Sequence, residues 1–263
     1  MTKFVAIANQ KGGVGKTTTT INLSMGLRQA GRKVLLVDLD PQGNATTGSG
    51  IEKREIGAGV YDVLLGDVAV NDAVMKVEST GLDVLPANQE LAGAEIELVD
   101  VIGREARLKS ALADCAGYDY VLLDCPPALS LLTVNGLVAA QTVIIPMQCE
   151  YYALEGLSDL VNTIKRIRSN LNPGLEIAGL LRTMFDARNS LTTQVSDQLK
   201  AHFGDKVYKT IIPRNVRLAE APSFGLPIMM FDKTSKGALA YEALTEEFLQ
   251  KFEGSKLMEG GNG

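Results

Sequence analysis

Seven short apolar runs recur along the chain, at 4–8, 34–38, 82–86, 120–124, 143–147, 177–181 and 207–212. Most are too continuous to leave one face in water. Such runs are strands buried on both sides, and strands of that kind belong to parallel sheets covered by helices. Helical patterns at 17–30, 129–140, 154–169, 190–203 and 236–252 fall between several of them. The expected fold class is therefore α/β, a doubly wound, mostly parallel sheet with helices on both faces. No linker and no fixed-period repeat interrupts the chain, so residues 2–253 read as a single domain. Residues 254–263, rich in glycine, read as a disordered tail that cannot offset its ordering entropy.

The first run leads into Lys11-Gly12-Gly13-Val14-Gly15-Lys16-Thr17-Thr18, and a helical pattern follows at once. Glycines let the backbone curl until successive N–H groups face one phosphate, at a helix N-terminus whose dipole also favours anions. Lys16 adds a charge for the β- and γ-phosphates, and Thr17 a hydroxyl for Mg²⁺. Thr18 is placed to reach the α-phosphate. This is the P-loop of an NTPase, and ATP with Mg²⁺ is the expected ligand. In open α/β sheets ligands bind at the carboxyl ends of strands. Asp38 and Asp40 close the second run and Asp124 the fourth, so three carboxylates converge on the same place. One such Asp alone could be a turn former or a helix cap.

The strict spacing Gly-x4-Gly-Lys-Thr is broken, because Gln10 stands where the first glycine belongs and a second lysine, Lys11, sits inside the loop. The loop thereby resembles the deviant Walker A family of ATPases. Residues 37–44 (VDLDPQGN), 121–127 (VLLDCPP), 150–156 (EYYALEG) and 213–223 (PRNVRLAEAPS) narrow the resemblance to the ParA-type, Soj-like partitioning ATPases, over nearly the whole chain. The resemblance implies an ATP-bound sandwich homodimer that binds nonspecific double-stranded DNA, released when a centromere-bound ParB-type partner stimulates hydrolysis. It further implies that Lys11 reaches the nucleotide of the partner subunit, that Asp40 orients the attacking water, and that Asp38 and Asp124 hold the magnesium through its water shell. The nucleotide contacts run from Lys11 through Gly12, Gly13, Val14, Gly15, Lys16 and Thr17 to Thr18. Pro213 and Asn215 are placed over the adenine, although Asn215 could equally cap the helix that follows. Glu150 and Tyr151 read as dimer-interface residues or as an ordinary strand-end loop.

Composition restricts the alternatives. The net charge is -5, yet residues 182–217 hold seven Lys/Arg against three Asp. Arg188 and Arg217 in that segment are the candidate DNA contacts, with Lys165, Arg166 and Arg168 next; a solvated face is the other reading of the cluster. Three scattered cysteines favour a reduced cytoplasm over a disulfide framework or a metal-cluster carrier. One histidine, His202, cannot build a Ser-His-Asp triad. No apolar run approaches the ~20 residues of a membrane span, so stable insertion is not expected. A cytoplasmic, nucleoid-associated protein fits these features. The competing reading is a MinD-like, membrane-associated ATPase that positions division machinery, and it needs a basic amphipathic C-terminal helix that the tail does not offer.

Overall fold

The computed structural model describes residues 1–113, 115 and 117–259. Its strands are β1 (Lys3–Ile7), β2 (Val34–Asp38), β3 (Met75–Lys76), β4 (Asp83–Leu85), β5 (Tyr120–Asp124), β6 (Thr142–Gln148), β7 (Glu176–Phe185) and β8 (Val207–Pro213). They form one sheet in the order β3-β4-β2-β5-β1-β6-β7-β8. Every pair is parallel except β3 with β4.

Every residue of β2 and of β5 is buried, as their unbroken apolar character requires. Successive side chains point to opposite faces. Val5 and Ile7 accordingly enter one apolar layer, while Ala6 and Ala8 enter the other. The longer helices are α1 (Lys16–Gln29), α2 (Leu131–Ala139), α3 (Ala153–Asn170), α4 (Ser190–Phe203) and α5 (Lys236–Glu259). Helices α1 and α5 cover the first layer with Ile21, Leu23, Leu27, Tyr241, Leu244 and Phe248. Helices α2, α3 and α4 cover the second with Leu132, Leu137, Leu157, Leu160, Val195 and Leu199. Each such side chain stabilises the fold by about 1.5–3 kcal/mol relative to exposure.

Three features depart from the expected elements. Strand β3 is a two-residue antiparallel edge, too short to show a period. Helices of four to seven residues, such as Asn44–Gly48, Val60–Leu65 and Leu91–Glu97, occupy stretches that the sequence periods assign to no element. Helix α5 runs to Glu259, past the expected end at 252, because a lone interior glycine (Gly254) costs only about 1 kcal/mol. The tail expected from 254 thus begins as helix, and residues 260–263 lie outside the described residues.

Candidate functional site

Strands β1, β2 and β5 end in step: Ile7 pairs with Asp124, and Asp124 with Asp38. The glycine loop leaves β1 at this edge, and α1 begins at Lys16. Gly13 and Gly15 adopt φ of 70° and 87°, a left-handed conformation that other residues rarely accept. Gly15 is the N-cap of α1 and has no side chain to satisfy the helix's first N–H groups, which suits that end to an anion. The loop is held from outside as well, since Thr183 Oγ1 donates to the Val14 carbonyl at 2.7 Å. Lys16 folds back inside it, its Nζ donating to the Lys11 carbonyl at 3.1 Å. Burial lowers the Lys16 pKa, while the nearby Asp124 pulls it back up.

Asp38 and Asp124 are fully buried. Asp124 accepts from Thr17 Oγ1 at 2.7 Å and from Thr20 Oγ1 at 3.0 Å. Asp38 accepts from the Thr46 N–H and hydroxyl, both at 2.8 Å, and from the Asp40 N–H at 3.1 Å. Burial pushes both carboxyls above the usual carboxylate range, and for Asp124 the charge of Asp38 adds to it. Two adjacent buried carboxylates with one lysine nearby are short of positive charge, so a divalent cation suits the place. Among the described residues no three His, Cys, Asp or Glu side chains form a metal cage. Mg²⁺ asks for no such cage, since it keeps waters and phosphate oxygens beside one or two protein ligands. Asp40 lies closer to solvent and accepts from the Gln42 N–H at 2.9 Å.

These groups line a cleft of about 520 Å³, where Gly12, Gly13, Gly15, Lys16, Thr17 and Asp40 meet. Asp124 and Asp38 lie behind its wall. A second pocket of about 320 Å³ adjoins it, bringing Pro213 and Asn215 beside Gly15 and Thr18. Its lining is mostly apolar (Ile212, Leu218, Ala219, Tyr241), which suits the flat face of a base. The Asn215 carbonyl oxygen accepts from the Leu218 N–H at 3.2 Å and caps the helix Val216–Glu220. The capping role that the sequence offered for Asn215 is thus met, while its NH₂ and a second lone pair remain free to meet a base edge. Met184, in the stretch where the register of β7 against β8 shifts, borders both pockets at φ 47°, a strained conformation for a bulky residue. Thr20, Thr183 and Met184 were not foreseen: Thr20 sits one turn into a helix, and the other two extend a strand that reads as structural.

Lys11 points away from its own loop and pairs with Glu150 at 2.5 Å; both side chains are about half exposed (48% and 51%). Exposed Tyr151 and Tyr152 pack edge to face beside it. Arg188 is highly exposed and paired with Asp186, whereas Arg217 pairs with Glu220 and Asp232 and lies over the Phe231 ring. Arg188 shares a groove with Arg214 and Lys236, two cations that sequence did not single out, because Lys236 arrives from the distant start of α5. Arg182, counted in the basic segment, is no part of any surface. It is 2% exposed and donates to Ser196 and to the Tyr208 and Lys209 carbonyls, because β7 lies inside the sheet.

A family model described as an AAA domain matches residues 2–177. The sporulation initiation inhibitor protein Soj of Bacillus subtilis is 56% identical over 248 residues, 94% of this chain and 98% of that protein. The chain belongs to the ParA/Soj family. Another ParA/Soj relative, the chromosome partitioning protein ParA of Caulobacter vibrioides, is 52% identical over 252 residues, 95% of this chain and 94% of that one. Among solved structures, a cobyrinic acid a,c-diamide synthase from Mycobacterium smegmatis with bound ADP and magnesium aligns at TM-score 0.86 and 39% identity, covering 97% of each chain. The fold thus extends to a protein that bears the name of a different activity.

Proposed function

We propose that this ParA/Soj chain is a Mg-ATP-hydrolysing DNA-partitioning switch, acting in the cytoplasm on nucleoid DNA. The observation that carries the reading is the convergence of the glycine loop, Lys16, Thr17 and the buried Asp38–Asp124 pair at the carboxyl ends of three adjacent strands. In this reading the loop amides and Lys16 hold the phosphates, and the base lies between Pro213 and Asn215. Thr17, Asp38 and Asp124 would hold a magnesium ion, which would supply positive charge to neutralise the phosphates. Asp40 aligns the attacking water. Lys11 leaves Glu150 to reach the nucleotide of a second subunit, so that ATP closes a homodimer. The dimer doubles a basic surface around Arg188 and Arg217 and so binds nonspecific duplex DNA. A centromere-bound ParB-type protein stimulates hydrolysis and releases it. The higher identity to Soj and ParA than to the diamide synthase supports partitioning over amide synthesis.

The MinD-like alternative asks for a C-terminal helix with an apolar face left for lipid. Tyr241, Leu244 and Phe248 of α5 are spent on the core instead, and among the described residues no helix is long and apolar enough to cross a membrane. With Mg-ATP the protein should be retained by immobilised duplex DNA and remain in the supernatant when anionic vesicles are sedimented. The reverse partition would favour the membrane reading.

A further inference from the structure

Strand β8 is the edge strand beside β7, and the two keep step only in places. Leu180 pairs with Val207 and Arg182 with Ile211, so one residue of β7 stands against residues 208–210 of β8. A strand with extra residues bulges out of the ladder and leaves peptide groups without partners. Two charged side chains take those groups up. Arg182, 2% exposed, donates through Nη2 to the Tyr208 carbonyl at 2.7 Å and the Lys209 carbonyl at 3.1 Å. Its Nη1 donates to Ser196 Oγ of α4 at 2.9 Å. Glu247 of α5 accepts from the Lys209 N–H at 2.7 Å and the Thr210 N–H at 2.8 Å. A trans peptide points its C=O and N–H in opposite directions. The peptide groups 208–209 and 209–210 are therefore each gripped at the oxygen by Arg182 and at the N–H by Glu247.

A buried cation held only by neutral acceptors, with its Nε unpartnered, is less favourable than an apolar side chain of similar volume. Stability alone does not explain this arrangement, and its place in the fold supplies another reason. The bulge lies just ahead of both walls of the base pocket. One residue beyond Arg182, Thr183 holds the Val14 carbonyl of the glycine loop, and Met184 then borders the pocket. Beyond the bulge, β8 delivers Ile212 and Pro213 to the same pocket, with Asn215 directly after. Neither Arg182 nor Glu247 lines either pocket, so any effect they have on the nucleotide passes through β8.

We propose that Arg182 and Glu247 are positioning residues for the nucleotide base: by clasping two peptide groups of β8 between them, they set the width of the slot between Met184 and the Pro213–Asn215 wall. A gap of about 0.5–1 Å forfeits a quarter to a half of each apolar contact, so the fit of a flat base depends on that width. Phosphates held by the loop amides do not depend on it. The inference rests on the reading that the base lies between Pro213 and Asn215, and it holds whether or not the chain partitions DNA.

The test compares Mg-ATP with magnesium tripolyphosphate, which carries phosphates and no base, each displacing a fluorescent ATP analogue from the full chain. Hydrolysis supplies KM and kcat. Glu247→Gln keeps the shape but offers one carbonyl oxygen to two N–H groups, and Arg182→Lys keeps the charge but lacks the fork that spans three acceptors. Each should weaken ATP about tenfold and raise KM to match, with tripolyphosphate affinity and kcat within about twofold of wild type. Asn215→Ala, in the pocket itself, is the reference and should also weaken ATP alone. Unchanged ATP affinity in both clasp variants, or tripolyphosphate weakened as much as ATP, would overturn the clasp. Selective loss of ATP in the clasp variants with none in Asn215→Ala would uphold the clasp and move the base to another part of the β8 wall.

Discussion

Lys11 and Lys16 share one loop but hold opposite positions. Lys16 is buried against the loop's own carbonyl, whereas Lys11 reaches outward to Glu150 at the rim. Lys16→Ala should weaken a fluorescent ATP analogue by ~100-fold or more, since it removes a charge-assisted contact inside a cleft. Lys11→Ala should leave monomer affinity near wild type and abolish the ATP-dependent dimer seen by size exclusion. An equal loss of affinity in both variants would assign Lys11 to its own subunit's nucleotide. Asp40→Ala removes the alignment of water while leaving the phosphate cradle whole. It should keep ATP binding and dimerisation and lose at least ~100-fold in phosphate release. The loop and the three strand-end aspartates were legible because each is a rare residue pattern at a fixed place in a βα unit. Thr20, Thr183 and Met184 were not: nothing local distinguishes a threonine that holds a carboxylate from one that fills a helix.

Helix α5 shows the same contrast at the level of an element. Its apolar side is buried through Phe248, which packs on Tyr120 with ring centroids 5.3 Å apart and stacks on Phe252 at 4.2 Å. Phe248→Ala should cost about 3–5 kcal/mol in urea unfolding. The end of that helix is clamped by Glu253, which accepts from Arg32 at 2.9 and 2.6 Å and from the Tyr120 hydroxyl at 2.7 Å. Those partners, the Arg32 hydrogen bonds first, hold the Glu253 carboxyl down at about 2. Its unfolded value is near 4.3, so the unfolded chain binds the proton more readily. The stabilisation is complete above that value and is lost as pH falls from about 4.3 towards 2. Both partners are partly exposed, which screens the gain to about 1–2 kcal/mol. Wild type should therefore exceed Glu253→Gln in stability at pH 6 and converge with it near pH 2; parallel curves would mean that the clamp contributes nothing through charge. The long helices and interior strands were readable from their periods, to within a few residues at the ends. The helices of four to seven residues and the two-residue β3 span too little chain to display a period, and tertiary packing decides them.

For the whole molecule, a net charge of -5 and a capacity for DNA are compatible only if positive charge is gathered on one surface. The structure gathers Arg188, Arg214 and Lys236 about one groove and removes Arg182 to the interior, so the sequence total misjudged the membership of the patch. Arg188 and Arg217 each have a carboxylate partner that a DNA phosphate must displace. With one phosphate contact per arginine per subunit, either substitution to Ala should make the negative slope of log K against log salt shallower by about 1.8 for the dimer. Affinity should fall alike for unrelated sequences, and ATP-induced dimerisation should survive. The central claim is that nucleotide gates DNA binding. Its most direct test is the anisotropy of an arbitrary labelled duplex titrated with this protein in Mg-ATP, in Mg-ADP and without nucleotide, at one salt concentration. Tight binding in Mg-ATP alone is the predicted result, and equal affinity in all three conditions, or none in any, would contradict it.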